Sequence, residues 1–143
     1  MAIVNQILST KKGELSFISP DSFVIDALRV MAEKNIGAIL VMENEKLIGI
    51  FSERDYARKI VLKSKASDTT AIHETMTADL FTVKSTTSID DCMMIMTEKN
   101  IRHLPVVENE KLLGLISIGD LVKFIIEEQK ITIKNLESYI SGQ

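Results

Sequence analysis

Apolar positions at helical spacing occur twice along the chain. Val24, Ala27, Leu28, Met31 and Ala32 form one stripe, and Ile89, Cys92, Met93 and Met96 form another. Each predicts a helix with one buried face. Ser22 and Thr87 offer N-caps ahead of these helices, and Asn35 and Asn100 offer stops. Beyond each stop the pattern changes to β-rich runs, "AILVM" then "LIGIFS" and "HLPVV" then "LLGLIS", joined both times by "ENEK". That is a hairpin pattern. Short apolar segments, "LSFIS" and "LFTVK", precede the helices, and a second helix starts at Ser52 or Ser117. Each half therefore reads β-α-β-β-α, an α+β unit whose helices cover one face of a small sheet.

The two halves are copies. A shift of 65 positions pairs residues 22–61 with 87–126 and gives 16 identities among 40 pairs, including Asn35/Asn100, Gly49/Gly114, Ser52/Ser117 and Asp55/Asp120. A helical lead-in recurs as well, "VNQIL" at 4–8 and "IHETM" at 72–76. Two copies are too few for a solenoid, so a closed, pseudo-twofold pair is the expected architecture. A single copy of roughly 60 residues has a marginal core, and its apolar strands call for cover on more than one side. The division expected is 1–63 for the first repeat, 64–71 for a polar linker, 72–128 for the second repeat and 129–143 for a tail. In that tail Ile133, Leu136 and Ile140 repeat at helical spacing and predict an amphipathic helix, packed within the chain or across a dimer.

The chemistry-bearing element is Gly49-Ile-Phe-Ser52-Glu-Arg-Asp55 with its counterpart Gly114-Leu-Ile-Ser117-Ile-Gly-Asp120. At a strand-to-helix junction, Ser-x-x-Asp is a capping box in which serine and acid each satisfy an orphan N–H. The same place can hold an anion, because a helix start offers free N–H groups and the positive end of the dipole. A serine hydroxyl there can donate to a phosphate, and an aspartate can accept from a ribose diol. A cap does not need the preceding glycine, which permits close approach to the strand, yet both copies have it.

With G-h-x-[S/T]-x-x-D closing each copy and "IRHLPVV" in the second, the chain resembles a pair of cystathionine-beta-synthase (CBS) domains, a Bateman module, over roughly residues 3–128. The resemblance implies a regulatory fold that binds adenosine-containing ligands in two clefts between the repeats, with AMP, ATP and NADH as candidates. It gives Ser52 and Ser117 the phosphate-facing hydroxyls and Asp55 and Asp120 the ribose-binding carboxylates. Arg102 and His103, which align with Gly37 and Ala38, are by the same resemblance the basic pair reaching the phosphate of the ligand held by Asp55, with Arg54 as a third cation. Gly119 stands in place of Arg54 in the second copy, so the Asp55 cleft is expected to be the better phosphate site. Thr82 and Val83 correspond to a segment lining the base pocket of the Asp120 cleft. Ile36, Gly37, Ala38, Ile101 and Pro105 complete the implied lining.

Composition narrows the function further. The net charge of −3 and the absence of a basic run argue against nucleic acid. No apolar stretch approaches the roughly 18 residues of a membrane span, and no signal-peptide pattern opens the chain. With a single cysteine, Cys92, there is no internal disulfide, and a reducing, cytoplasmic setting is expected. Cys92 reads as a small core residue. His73 has no second metal ligand at suitable spacing, and two histidines with one cysteine make no catalytic set. The expectation is a non-enzymatic sensor that forms a homodimer and acts on a separate protein target. Its rival is a ligand-independent dimerisation scaffold in which the boxes only cap helices.

Overall fold

The computed structural model describes residues 1–11 and 13–142. It falls into two compact units. One comprises Gly13–Phe81 with Asn109–Leu112, and the other joins the N-terminal segment from Met1 to Thr82–Glu108 and the segment from Leu113 onward.

In the first-half unit, β1 (Phe17–Ile18) pairs in parallel with β2 (Ala38–Glu43), which pairs antiparallel with β3 (Lys46–Ser52). The hairpin turn places Asn44 at φ 50° and Glu45 at φ 64°. Two successive left-handed residues give the tight turn that matches strand twist, and Asn tolerates that conformation. The helix α2 (Val24–Lys34) ends on Asn35 at φ 54°, the left-handed stop expected of it. Its start lies one residue after the expected cap: Phe23 is the N-cap, and the Asp26 carboxylate accepts the Phe23 N–H at 3.1 Å. Val24, Ala27, Met31, Ile39, Val41, Phe51, Ile60 and Ile72 form the core.

The second-half unit repeats this plan. Ser88, not Thr87, caps α4 (Ile89–Lys99), its Oγ accepting the Asp91 N–H at 3.0 Å, and Asn100 ends the helix at φ 54°. The strands β4 (His103–Glu108) and β5 (Lys111–Ser117) pair around Asn109 at φ 50° and Glu110 at φ 64°, the same turn as in the first copy. The "LFTVK" segment forms no strand. It makes a single parallel bridge, Val83 to Val106, with the Val83 N–H donating to Pro105 O at 3.0 Å.

The second helices of the copies diverge. After β3 come three α-helical residues, Glu53–Asp55 (α3), and then a π-helix over Tyr56–Val61. After β5 a single α-helix, α5 (Ile118–Ile140), runs for 23 residues, so the expected tail continues the second helix of the repeat. No glycine or proline interrupts it beyond Gly119.

Each lead-in folds with the other copy's core. The helix α1 (Val4–Thr10) belongs to the second-half unit: the Val4 and Asn5 N–H groups donate to Thr87 O and Ser85 O, both at 2.9 Å, and Val4 and Ile7 are core residues there. The 3-10 turn Ile72–Glu74 belongs to the first-half unit, where the Ile72 N–H donates to Ser22 O at 2.8 Å and Ile72 is fully buried. The compact units thus cut across the linear repeats. The apolar face of each lead-in supplies the cover that a single copy lacks.

Candidate functional site

At the end of β3 the two halves of the first box cap one another. Ser52 Oγ accepts the Asp55 N–H at 3.2 Å, and Asp55 Oδ2 accepts the Ser52 N–H at 3.0 Å and its hydroxyl at 3.1 Å. The other carboxylate oxygen, Oδ1, accepts from Thr77 Oγ1 at 3.0 Å and is ion-paired with Lys59 Nζ at 3.0 Å. The Asp55 side chain is only 8% exposed. The Glu53 N–H donates to Gly37 O at 3.1 Å, which brings the Ile36-Gly37-Ala38 segment to this box. Arg54 is exposed beside it.

The second box has the same cap and a different closure. Ser117 Oγ accepts the Asp120 N–H at 3.0 Å, and Asp120 Oδ2 accepts the Ser117 N–H at 2.9 Å. Lys11 Nζ reaches the same Oδ2 at 2.7 Å and also donates to Leu115 O at 2.6 Å. At 24% exposure the Asp120 side chain is more open than Asp55. The Ile118 N–H donates to Arg102 O at 2.8 Å, so Arg102 and His103 stand at the start of α5. Pro105 is buried, Ile101 partly so, and Val83 is fixed to Pro105 with Thr82 exposed next to it.

Electrostatics reinforce this grouping. Burial, and then the Lys11 ammonium, lower the His103 pKa below its usual 6.5, against a smaller upward pull from Asp120. Burial on its own would raise the Asp120 carboxyl. The hydrogen bonds from Lys11 and from the Ser117 backbone outweigh it and hold the group below its usual value.

The sequence-predicted residues therefore fall into two groups. Ser52, Arg54, Asp55, Ile36, Gly37 and Ala38 lie in the first-half unit, and Ser117, Asp120, Arg102, His103, Ile101, Pro105, Thr82 and Val83 in the second-half unit. Three polar residues at the boxes have no place in the motif: Lys59, Thr77 and Lys11. Lys59, four residues after Asp55, carries a helical-neighbour signal. Thr77 and Lys11 carry none, because each follows a lead-in that folds with the other copy. The motif glycines answer to the same exchange. A Cβ on Gly49 would lie 2.6 Å from Met76 Sδ and 3.1 Å from Thr77 O, and one on Gly114 would lie 2.6 Å from Leu8 Cδ2. What approaches each strand closely is a lead-in of the protein itself.

Cys92 is fully buried, and burial pushes its thiol up to about 11, as suits an inert core residue. His73 is exposed, and no group of three metal-ligating side chains occurs among the described residues. Among those residues no helix is long and apolar enough to cross a membrane.

Known proteins match this architecture over most of its length. A solved structure of a protein with CBS domains from Burkholderia ambifaria MC40-6 superposes with a TM-score of 0.86 at 47% identity, covering 90% of this chain and 96% of that one. A mitochondrial CBS domain-containing protein of Arabidopsis thaliana is 36% identical over 135 residues, 91% of this chain, and the chain spans 66% of that protein's length. A CBS domain pair solved in complex with 5′-methylthioadenosine and S-adenosyl-L-methionine shares the fold, with a TM-score of 0.77 at 22% identity over 89% of this chain and 98% of that one. The family model of the CBS domain matches residues 5–62 and again 71–127. With the duplicated boxes, the shared caps and these two matches, the chain belongs to the CBS domain family as a tandem pair.

Proposed function

We propose that this CBS pair is a non-enzymatic sensor of an adenosine-containing ligand of the AMP, ATP or NADH type, acting on a separate protein target as a homodimer. The observation that carries the reading is the doubled box: two serine–aspartate pairs, each fixed by its own cap, each holding a carboxylate against a lysine that a competing ligand can replace. A ribose diol offers two hydroxyl donors to such a carboxylate, and hydrogen bonds to a charged acceptor are worth about 1.5–3 kcal/mol. The structural relative crystallised with two adenosine derivatives supports this ligand class.

In this reading Ser52 and Asp55 hold the better site, with Arg102 and His103 supplying cations to the ligand phosphate and Arg54 a third. Ser117 and Asp120 hold the second, with Thr82 and Val83 beside the base. Binding shifts the population of arrangements available to the pair by the ligand's differential affinity for them. A second assignment is favoured by one observation: His103 lies within the electrostatic reach of Asp120 and Lys11 in its own unit. There the phosphate site belongs to the Asp120 box.

A thermal-shift panel of AMP, ADP, ATP, NAD, NADH and S-adenosylmethionine tests the sensor reading. At a hundredfold excess over Kd a true ligand adds about 2.7 kcal/mol, a rise on the order of 5–10 °C in Tm. If no member of the panel moves Tm at millimolar concentration, the dimerisation scaffold replaces the sensor. Light scattering tests the dimer, which should weigh about twice the chain with or without ligand.

A further inference from the structure

From Ile126 onward every described residue of α5 is exposed, including Ile126, Ile133, Leu136 and Ile140 at 48%, 53%, 56% and 81%. These side chains are not scattered. With Val122, itself 43% exposed, and Gln129 they occupy positions 122, 126, 129, 133, 136 and 140, a strict alternation of four- and three-residue steps. A 3.5-residue repeat is the signature of a seam between two helices, whereas a surface stripe facing its own core drifts at 3.6. The residues that anchor α5 to its unit, such as the fully buried Leu121, lie off this line. We infer that α5 pairs in antiparallel register with α5 of a second copy, and this names the surface for the homodimer proposed above.

The flanks of the seam choose the orientation. On one side stand Lys123, Lys130 and Glu137, and on the other Ile125, Thr132 and Tyr139. In a parallel pair the two flanks meet each other, setting Lys130 against Ile125 and Glu137 against Thr132. In an antiparallel pair each flank meets itself, so charged residues face charged ones and Ile125 faces Tyr139.

Apolar burial chooses the register. Matching Val122 to Ile140, Ile126 to Leu136 and Gln129 to Ile133 of the other copy uses the whole stripe, six layers over about 27 Å of helix. Lys123 then pairs with Glu137 twice. The one conflict, Lys130 against Lys130, is a solvent-exposed repulsion of a few tenths of a kcal/mol, small beside the burial of Val122 and Ile126. Sliding the helices by one heptad removes that conflict but leaves both of those side chains uncovered.

Cysteine cross-linking of the full chain tests both orientation and register. Gln129→Cys and Ile133→Cys chains, carrying tags of different mass, are mixed and oxidised. The buried Cys92 stays out of the reaction. The mixed 129–133 disulfide should predominate. Self-linked 129–129 and 133–133 products mean a parallel pair and overturn the proposal. In sedimentation, Lys123→Glu or Glu137→Lys alone should raise the dimer Kd about threefold or more, and the double reversal should restore it. A dimer that persists with no 129–133 cross-link and no response to charge reversal places the interface elsewhere. Binding of the full chain to phosphatidylcholine vesicles, abolished by Leu136→Asp, would assign the stripe to a lipid surface and equally overturn the pairing. None of these readouts involves nucleotide, so their failure is separable from failure of the sensor reading.

Discussion

At the end of β3, the Asp55 carboxylate is enclosed. One oxygen is committed to Ser52, the other to Thr77 and Lys59, and the side chain is 8% exposed. At the end of β5, Asp120 receives its backbone cap and Lys11 on the same oxygen and is 24% exposed. The two motifs are equivalent in sequence and in cap geometry, yet their counter-cations come from different parts of the chain. Lys59 sits one turn along its own helix, and its counterpart in the second copy is Phe124. Lys11 follows the exchanged lead-in. The backbone diverges at the same place, because α3 passes into a π-helix directly after Asp55 while α5 continues unbroken. Duplication preserved the cap, and the neighbours decide how firmly each carboxylate is held.

The largest expected difference is in stability. Asp55→Ala strips partners from the half-buried Thr77 hydroxyl and from the Lys59 ammonium and should cost about 2 kcal/mol, whereas Asp120→Ala, at a more open site, should cost about 1 kcal/mol. Urea denaturation of the two variants measures the gap, and equal losses would erase the contrast between enclosed and open boxes. The glycines come next. Gly49→Ala should cost about 1–3 kcal/mol, because its Cβ meets the Thr77 carbonyl as well as Met76. Gly114→Ala meets only the end of the Leu8 side chain and should cost less than about 1 kcal/mol.

A smaller effect lies in acid. The folded-state pKa of Asp120 is depressed, so its contribution is fully present above the ordinary carboxyl value of 3.8 and is lost as pH falls through the lower folded value. The stability gap between the wild type and Lys11→Met should therefore be constant above about pH 4 and close below it. A gap unchanged at pH 3 would remove Lys11 from the account. The smallest effect is on binding. The unliganded His103 titrates below 6.5, and a phosphate beside the ring would raise that value, so AMP affinity should rise a few-fold as pH falls toward and below about 6.5. Calorimetry should find this trend missing in His103→Ala.

Much of this was legible in the sequence. The helical stripes at Val24–Met31 and Ile89–Met96, the asparagine stops, the "ENEK" turns and both boxes follow from local pattern, because each is fixed by residues within a few positions of one another. What was not legible is non-local. The pattern places "VNQIL" beside the repeat it precedes, and only packing shows that Val4 and Ile7 complete the core of the other copy. Lys11 and Thr77 at the carboxylates, and the reason for Gly49 and Gly114, all follow from that exchange. The N-caps were displaced by one residue because adjacent polar side chains, Thr87 and Ser88, compete for one role. In the first copy a carboxylate three residues on, Asp26, did the capping instead.

The central claim is that the boxes are ribose-binding sites and that the basic pair serves the one built on Asp55. Isothermal titration of AMP into the wild type, Asp55→Ala, Asp120→Ala, Arg102→Ala and His103→Ala tests it most directly. The account predicts that Asp55→Ala weakens the tighter site by about ten to a hundredfold, that Arg102→Ala and His103→Ala weaken the same site, and that Asp120→Ala spares it. Loss of that site in Asp120→Ala, with Asp55→Ala unaffected, would contradict the account and assign the phosphate to the box that Lys11 and His103 surround.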